Sequence, residues 1–153
     1  MTDMRRTRDR DPARGARPPR PSTRRLWIVA PLATLAASVI NAGLFSIGDA
    51  FGAFPADVLT PAGAPITLGA VLALTIAGVV GSAVAYAVLG RTVRRPVRAF
   101  VLVAVVVFAL MIGPPFMLSG APTVMIAMLQ LLHLTTALVA VGAMLRFATT
   151  RRP

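Results

Sequence analysis

Four long apolar stretches organise this chain: residues 26–48, 66–90, 97–118 and 123–147. A helix needs roughly 20 such residues to cross a hydrocarbon core about 30 Å thick. In a soluble domain the apolar residues are scattered by period; here they are concentrated in blocks. The third opens on the valine-rich run 101–107, which in water would hint at a buried strand. Its length and arginine-rich flank favour a membrane helix. The pattern predicts an all-α, four-helix membrane bundle and leaves no room for a separate soluble domain.

The polar gaps between the stretches are not alike. Residues 1–25 hold nine Arg, the gap after the second stretch holds Arg91, Arg94, Arg95 and Arg98, and the end of the chain holds Arg146, Arg151 and Arg152. The other two gaps, residues 49–65 and 119–122, contain no Arg or Lys. Basic residues collect on the cytoplasmic side of spans. Both termini are therefore expected in the cytoplasm, and the protein in the bacterial cytoplasmic membrane as a multi-pass chain. The opposite face carries Asp49 and Asp57. The formal charge of +11 then reads as topology. No specific nucleic-acid partner is expected, since the basic tail has no aromatic residue to stack on a base. The expected partners are the lipid bilayer and, through helix packing, a second copy or another membrane protein.

Residues 1–25 are rich in Arg and Pro and are expected to be a disordered cytoplasmic tail, having too little apolar surface to offset their ordering entropy. Residues 148–153 form a short basic tail. Thr23-Arg24-Arg25-Leu26-Trp27 loosely resembles a twin-arginine export signal. The apolar stretch behind it exceeds a usual signal core, and only Ala50-Phe51-Gly52-Ala53 approaches a cleavage site. Retention as the first span is the favoured reading. Mean hydropathy is +0.76. Cys, Lys and Glu are all absent, which excludes disulfides and thiolate sites within this chain and suggests a high-GC bacterial coding bias.

Small residues recur every four positions in the first helix (Ala30, Thr34, Ser38, Ala42, Ser46) and in the second (Ala73, Ala77, Gly81, Ala85). Such ridges permit close helix approach and predict that these two helices pack tightly. Trp27 and Tyr86 are expected at the inner interface. The loop 49–65 is too rich in Pro to be helical, and its Phe51 and Phe54 are expected to dip into the headgroup region. Gly113-Pro114-Pro115 predicts a kink or an end in helix 3: the prolines free carbonyls one turn back, and Gly113 is steered away from α geometry.

The membrane stretches contain no carboxylate and no central Arg, which argues against a proton-coupled exporter of cations. Three polar residues stand out: Asn41, Gln130 and His133. Helical rise places His133 roughly 15 Å and Asn41 roughly 10 Å below the outer ends of their helices. They are expected to meet in the outer half of the bundle. The bland reading is interhelical hydrogen bonding. The functional reading is a small polar pocket opening outward. A lone His does not supply the four ligands that zinc wants, and no partner Asp completes a catalytic triad. No catalytic residue, metal or cofactor is assigned, and the methionines of helices 3 and 4 read as flexible packing.

Val39-Ile40-Asn41, Gly113-Pro114-Pro115 and the run from Leu131 to Ala137 (LLHLTTA) resemble an uncharacterised family of small bacterial four-helix membrane proteins. The resemblance spans nearly all of residues 26–147. It implies the four-helix topology and points to the same polar residues, but carries no activity. The favoured reading is a non-enzymatic membrane protein acting through helix packing. The alternative is a binder or transporter of a small molecule or lipid, using an outward-facing pocket at Asn41, Gln130 and His133.

Overall fold

The computed structural model describes residues 20–150. It contains four long helices: α1 (Thr23–Ala50), α2 (Leu68–Thr92), α3 (Pro96–Ile112) and α4 (Thr123–Phe147). All four spans, the third including the turn after α3, are long and apolar enough to cross a membrane, so this is a multi-pass membrane protein by length and composition. Most of the expected tail, residues 1–19, and the last three residues lie outside the described residues.

The helix ends follow local chemistry. α1 begins a turn earlier than its apolar boundary, so Arg24 and Arg25 are helical rather than part of a disordered tail. It stops in a left-handed cap: Gly52 has φ +71°, Gly52 N donates to Asp49 O at 2.9 Å, and Ala53 N donates to Gly48 O at 2.8 Å. A side chain at Gly52 would be strained. Thr67 caps α2 by accepting from Ala70 N at 3.3 Å. Pro96 occupies the first turn of α3, where its missing N–H costs nothing.

α3 ends at Ile112, and Pro114–Met117 continue as one 3-10 turn. Contrary to expectation, Gly113 keeps α geometry, φ −66° and ψ −50°. Lacking Cβ, it escapes part of the clash that a following proline imposes. The change of hydrogen bonding ends the helix instead: Phe116 N donates to Gly113 O at 3.0 Å, which leaves Ile112 O without its α-helical partner.

α1 packs against α2 and α4, which also touch each other; α3 lies in the opposite groove of that pair. The buried stripe of α1 is Ala33, Ala37, Asn41 and Phe45. Ala33 and Ala37 meet Val79 and Ala140 at mid-bundle. The expected ridge of α2 does not take part: Ala73, Ala77 and Gly81 are exposed, and Val71, Thr75 and Val79 face inward instead.

Each end of the bundle is closed differently. At the 49–65 loop, Phe54 turns inward and stacks on Phe45 with centroids 4.6 Å apart. It joins Ala53, Val58, Val71, Met125, Leu129 and Leu132 in one apolar cluster. Only Phe51, 85% exposed, points outward as expected of both. At the arginine end, Tyr86 is fully buried against Phe100, centroids 4.7 Å apart. Its hydroxyl donates to Thr149 Oγ1 at 2.6 Å, and Thr149 donates onward to Met144 O. Residues Arg20–Pro21 pair antiparallel with Thr149–Thr150, and Ser22 N donates to Ala148 O at 2.9 Å. The start of α1 and the end of α4 are thus joined at the same end.

Candidate functional site

α3 is held at its two ends and stands off between them. Its buried residues, Pro96 and Phe100, both lie in its first turns, beside Tyr86. At its far end Gln130 Nε2 donates to Ile112 O at 2.7 Å, the carbonyl that the 3-10 turn left free. In the middle, a cavity of about 320 Å³ separates α3 from α2 and α4. Ala104, Val107, Phe108 and Met111 wall it from α3. Val71, Leu74, Thr75, Gly78 and Ser82 wall it from α2, and Leu129, His133, Thr136 and Ala137 from α4.

The opening is lateral. Leu74, Val107 and Met111 line the cavity and are themselves 72%, 50% and 40% exposed. The apolar cluster of Phe45, Phe54 and Met125 covers the 49–65 end of the bundle. The opening therefore lies on the side of the bundle, between α2 and α3.

Asn41 reaches this cavity from the far side of the bundle, and is 1% exposed. Its Nδ2 donates to Thr75 Oγ1 and Thr136 Oγ1, each at 2.8 Å. One side chain therefore links α1 to α2 and α4. Both hydroxyls donate in turn to their own helices, Thr75 to Val71 O at 2.8 Å and Thr136 to Leu132 O at 2.9 Å. Gly78 permits the close seating of Thr136: a Cβ there would stand 3.3 Å from its methyl group. Asn41 Oδ1 is buried with no partner. A buried acceptor without a donor costs about 1–3 kcal/mol.

His133 lines the same cavity. Its Nδ1 lies 2.7 Å from Leu129 O, so Nδ1 carries the proton and donates. In the neutral ring Nε2 then presents a lone pair, and it has no partner among the described residues.

Sequence reasoning expected Asn41, His133 and Gln130 together. Asn41 and His133 do share the cavity. Gln130 lies in a separate, shallower groove with Ile112, Phe116 and Leu131, on the other side of Phe108. Thr75 and Thr136 were not singled out from the sequence. Their signal was their spacing on the inward stripes, Val71-Thr75-Val79 and Leu132-Thr136-Ala140. No cluster of three metal-ligating side chains occurs among the described residues.

No curated protein and no solved structure matches the chain. Residues 21–150 match a family of unknown function, DUF6069, and the chain belongs to that family.

Proposed function

We propose that this protein binds a small, largely apolar molecule that enters from the bilayer into the gap beneath α3. One observation supports this most: an apolar cavity opens on the side of the bundle, with His133 on its wall. Ligand sites are typically apolar concavities with a few fixed polar groups, and about 320 Å³ lies at the small end of their range. The same reading puts the arginine end in the cytoplasm, by the asymmetry of basic residues. The cavity then lies in the outer half of the membrane, and the protein acts as a binder or transporter rather than an enzyme.

The test is thermal unfolding of purified wild type and His133→Ala against a panel of lipids, quinones and metabolites. A ligand shift in wild type that is lost in a variant of unchanged stability supports the site. No shift with any compound, together with a less stable variant, makes His133 structural and overturns the proposal.

A second reading is favoured by the outward ridge of α2. Ala73, Ala77 and Gly81 face away from the bundle, and a Cβ at Gly81 would meet nothing. Small residues on a membrane-facing surface suit close helix packing with a second copy or another membrane protein. Cross-linking through cysteine at Ala77 tests it; a strict monomer in mild detergent counts against it.

A further inference from the structure

The cavity does not offer hydrogen bonds of both kinds. Around it, each side-chain donor is already committed. Both protons of Asn41 Nδ2 go to the two threonines. The Thr75 and Thr136 hydroxyls donate to Val71 O and Leu132 O. Ser82 Oγ donates to Val79 O at 2.7 Å, and His133 Nδ1 donates to Leu129 O. As Asn41 is placed, its Nδ2 also lies 3.5 Å from the Leu132 carbonyl oxygen, on the side of the two threonines. Two polar atoms are left over and both are acceptors: His133 Nε2, and Asn41 Oδ1, which is sealed from the cavity space.

Charge narrows the class further. Among the described residues the acids are Asp49 and Asp57, and neither lines the cavity. An ammonium ion would meet no countercharge in an apolar wall, which is costly in the membrane. Around a neutral His133 ring an anion would meet no free donor. A ligand that only accepts hydrogen bonds, such as an ether or a quinone carbonyl, would leave the His133 lone pair unpaired.

We infer that the cavity selects neutral molecules with an O–H donor on an apolar body, a phenol or hydroquinone ring in preference to its ether or quinone counterpart. The hydroxyl donates to His133 Nε2, the ring fills the space beside Phe108, and an alkyl tail leaves through the lateral opening at Leu74 and Met111. This rests on the ligand-binding reading above and adds the chemical class.

The test compares para-hexylphenol with its methyl ether, which has similar shape and apolar area but no donor. His133 is the single histidine of the chain, so 15N-labelled histidine gives one imidazole to follow. The expected result is binding of the phenol at least about tenfold tighter than the ether, the scale of one unmade hydrogen bond in a dry site. The Nε2 resonance should move with the phenol and stay in place with the ether. His133→Phe should remove the difference between the two. Equal binding of both compounds with Nε2 unmoved overturns the donor selectivity, while leaving the cavity a binding site. Failure of both compounds to bind overturns the selectivity and the ligand-binding reading for this class together. The resonance is read on wild type, so the outcome does not depend on whether the variant folds.

Discussion

Replacing Asn41 with Leu separates a residue kept for stability from one kept for a ligand. The two side chains branch at the same carbon and have the same number of heavy atoms, so the packing beside Ala37 and Phe45 changes little. The substitution removes the two hydrogen bonds from Nδ2 to Thr75 and Thr136. Hydrogen bonds between membrane helices average about 0.6 kcal/mol, so the loss is about 1.2 kcal/mol. Neither threonine is left with an idle donor, because each already donates to its own helix. The substitution also removes the unpartnered Oδ1. Relieving a buried unpaired acceptor returns about 1–3 kcal/mol. The expected net effect lies between neutral and about 2 kcal/mol of stabilisation. Reversible unfolding in mixed micelles, followed by circular dichroism, measures it. A destabilisation beyond about 2 kcal/mol would refute the reasoning, since the Asn41 amide would then be satisfied and structural.

Three further outcomes are expected. Gln130→Leu leaves Ile112 O without a donor and should cost about 1–2 kcal/mol, with faster hydrogen exchange confined to the turn after α3. Gly48→Ala places a Cβ 2.9 Å from Phe54 Cε2; it should push that ring off Phe45 and cost about 1–3 kcal/mol in the same unfolding assay. Tyr86→Phe keeps the ring against Phe100 but loses the bond to Thr149, and should cost about 1 kcal/mol while speeding amide exchange at Ala148.

Much of the fold was legible because a membrane span is written in contiguous apolar residues. α4 begins and ends where Pro122 and Arg146 bracket its apolar run. Asn41 and His133 could be picked out because polar residues are rare in such runs. Three features were not legible, each for a geometric reason. The α2 ridge at Ala73, Ala77 and Gly81 sits two residues from the inward stripe at Val71, Thr75 and Val79. Two residues turn a helix by about 200°, so the ridge faces almost directly outward. Gln130 and His133 are three residues apart, which leaves them about 60° from alignment. That angle suffices to put them on opposite sides of Phe108. The pairing of residues 20–21 with 149–150 is made by the backbone, and no hydrophobic pattern marks it.

The gap beneath α3 follows from the positions of its attachments. Aromatic packing at Tyr86 and Phe100 fixes one end, and the bond from Gln130 fixes the other. Between them small residues at Ala104, Ala137 and Gly78 leave space beside Val107, Phe108 and Met111. Of the four spans, the third is the least buried, 11% against 17–22% for the others. On the proposed reading, a loosely held helix over the cavity is the route for a membrane-soluble ligand, because opening it breaks few contacts.

Filling that gap is the most direct test. Ala104→Leu adds three carbons to a side chain that lines the cavity. If α3 stands off as described, the added carbons occupy empty space. The variant should unfold at or above the wild-type midpoint, and ligand-induced shifts should disappear. If α3 instead packs flush on α2 and α4, the substitution overfills the interface. A loss of about 1–3 kcal/mol would then follow, and with it the cavity and the function built on it would be contradicted.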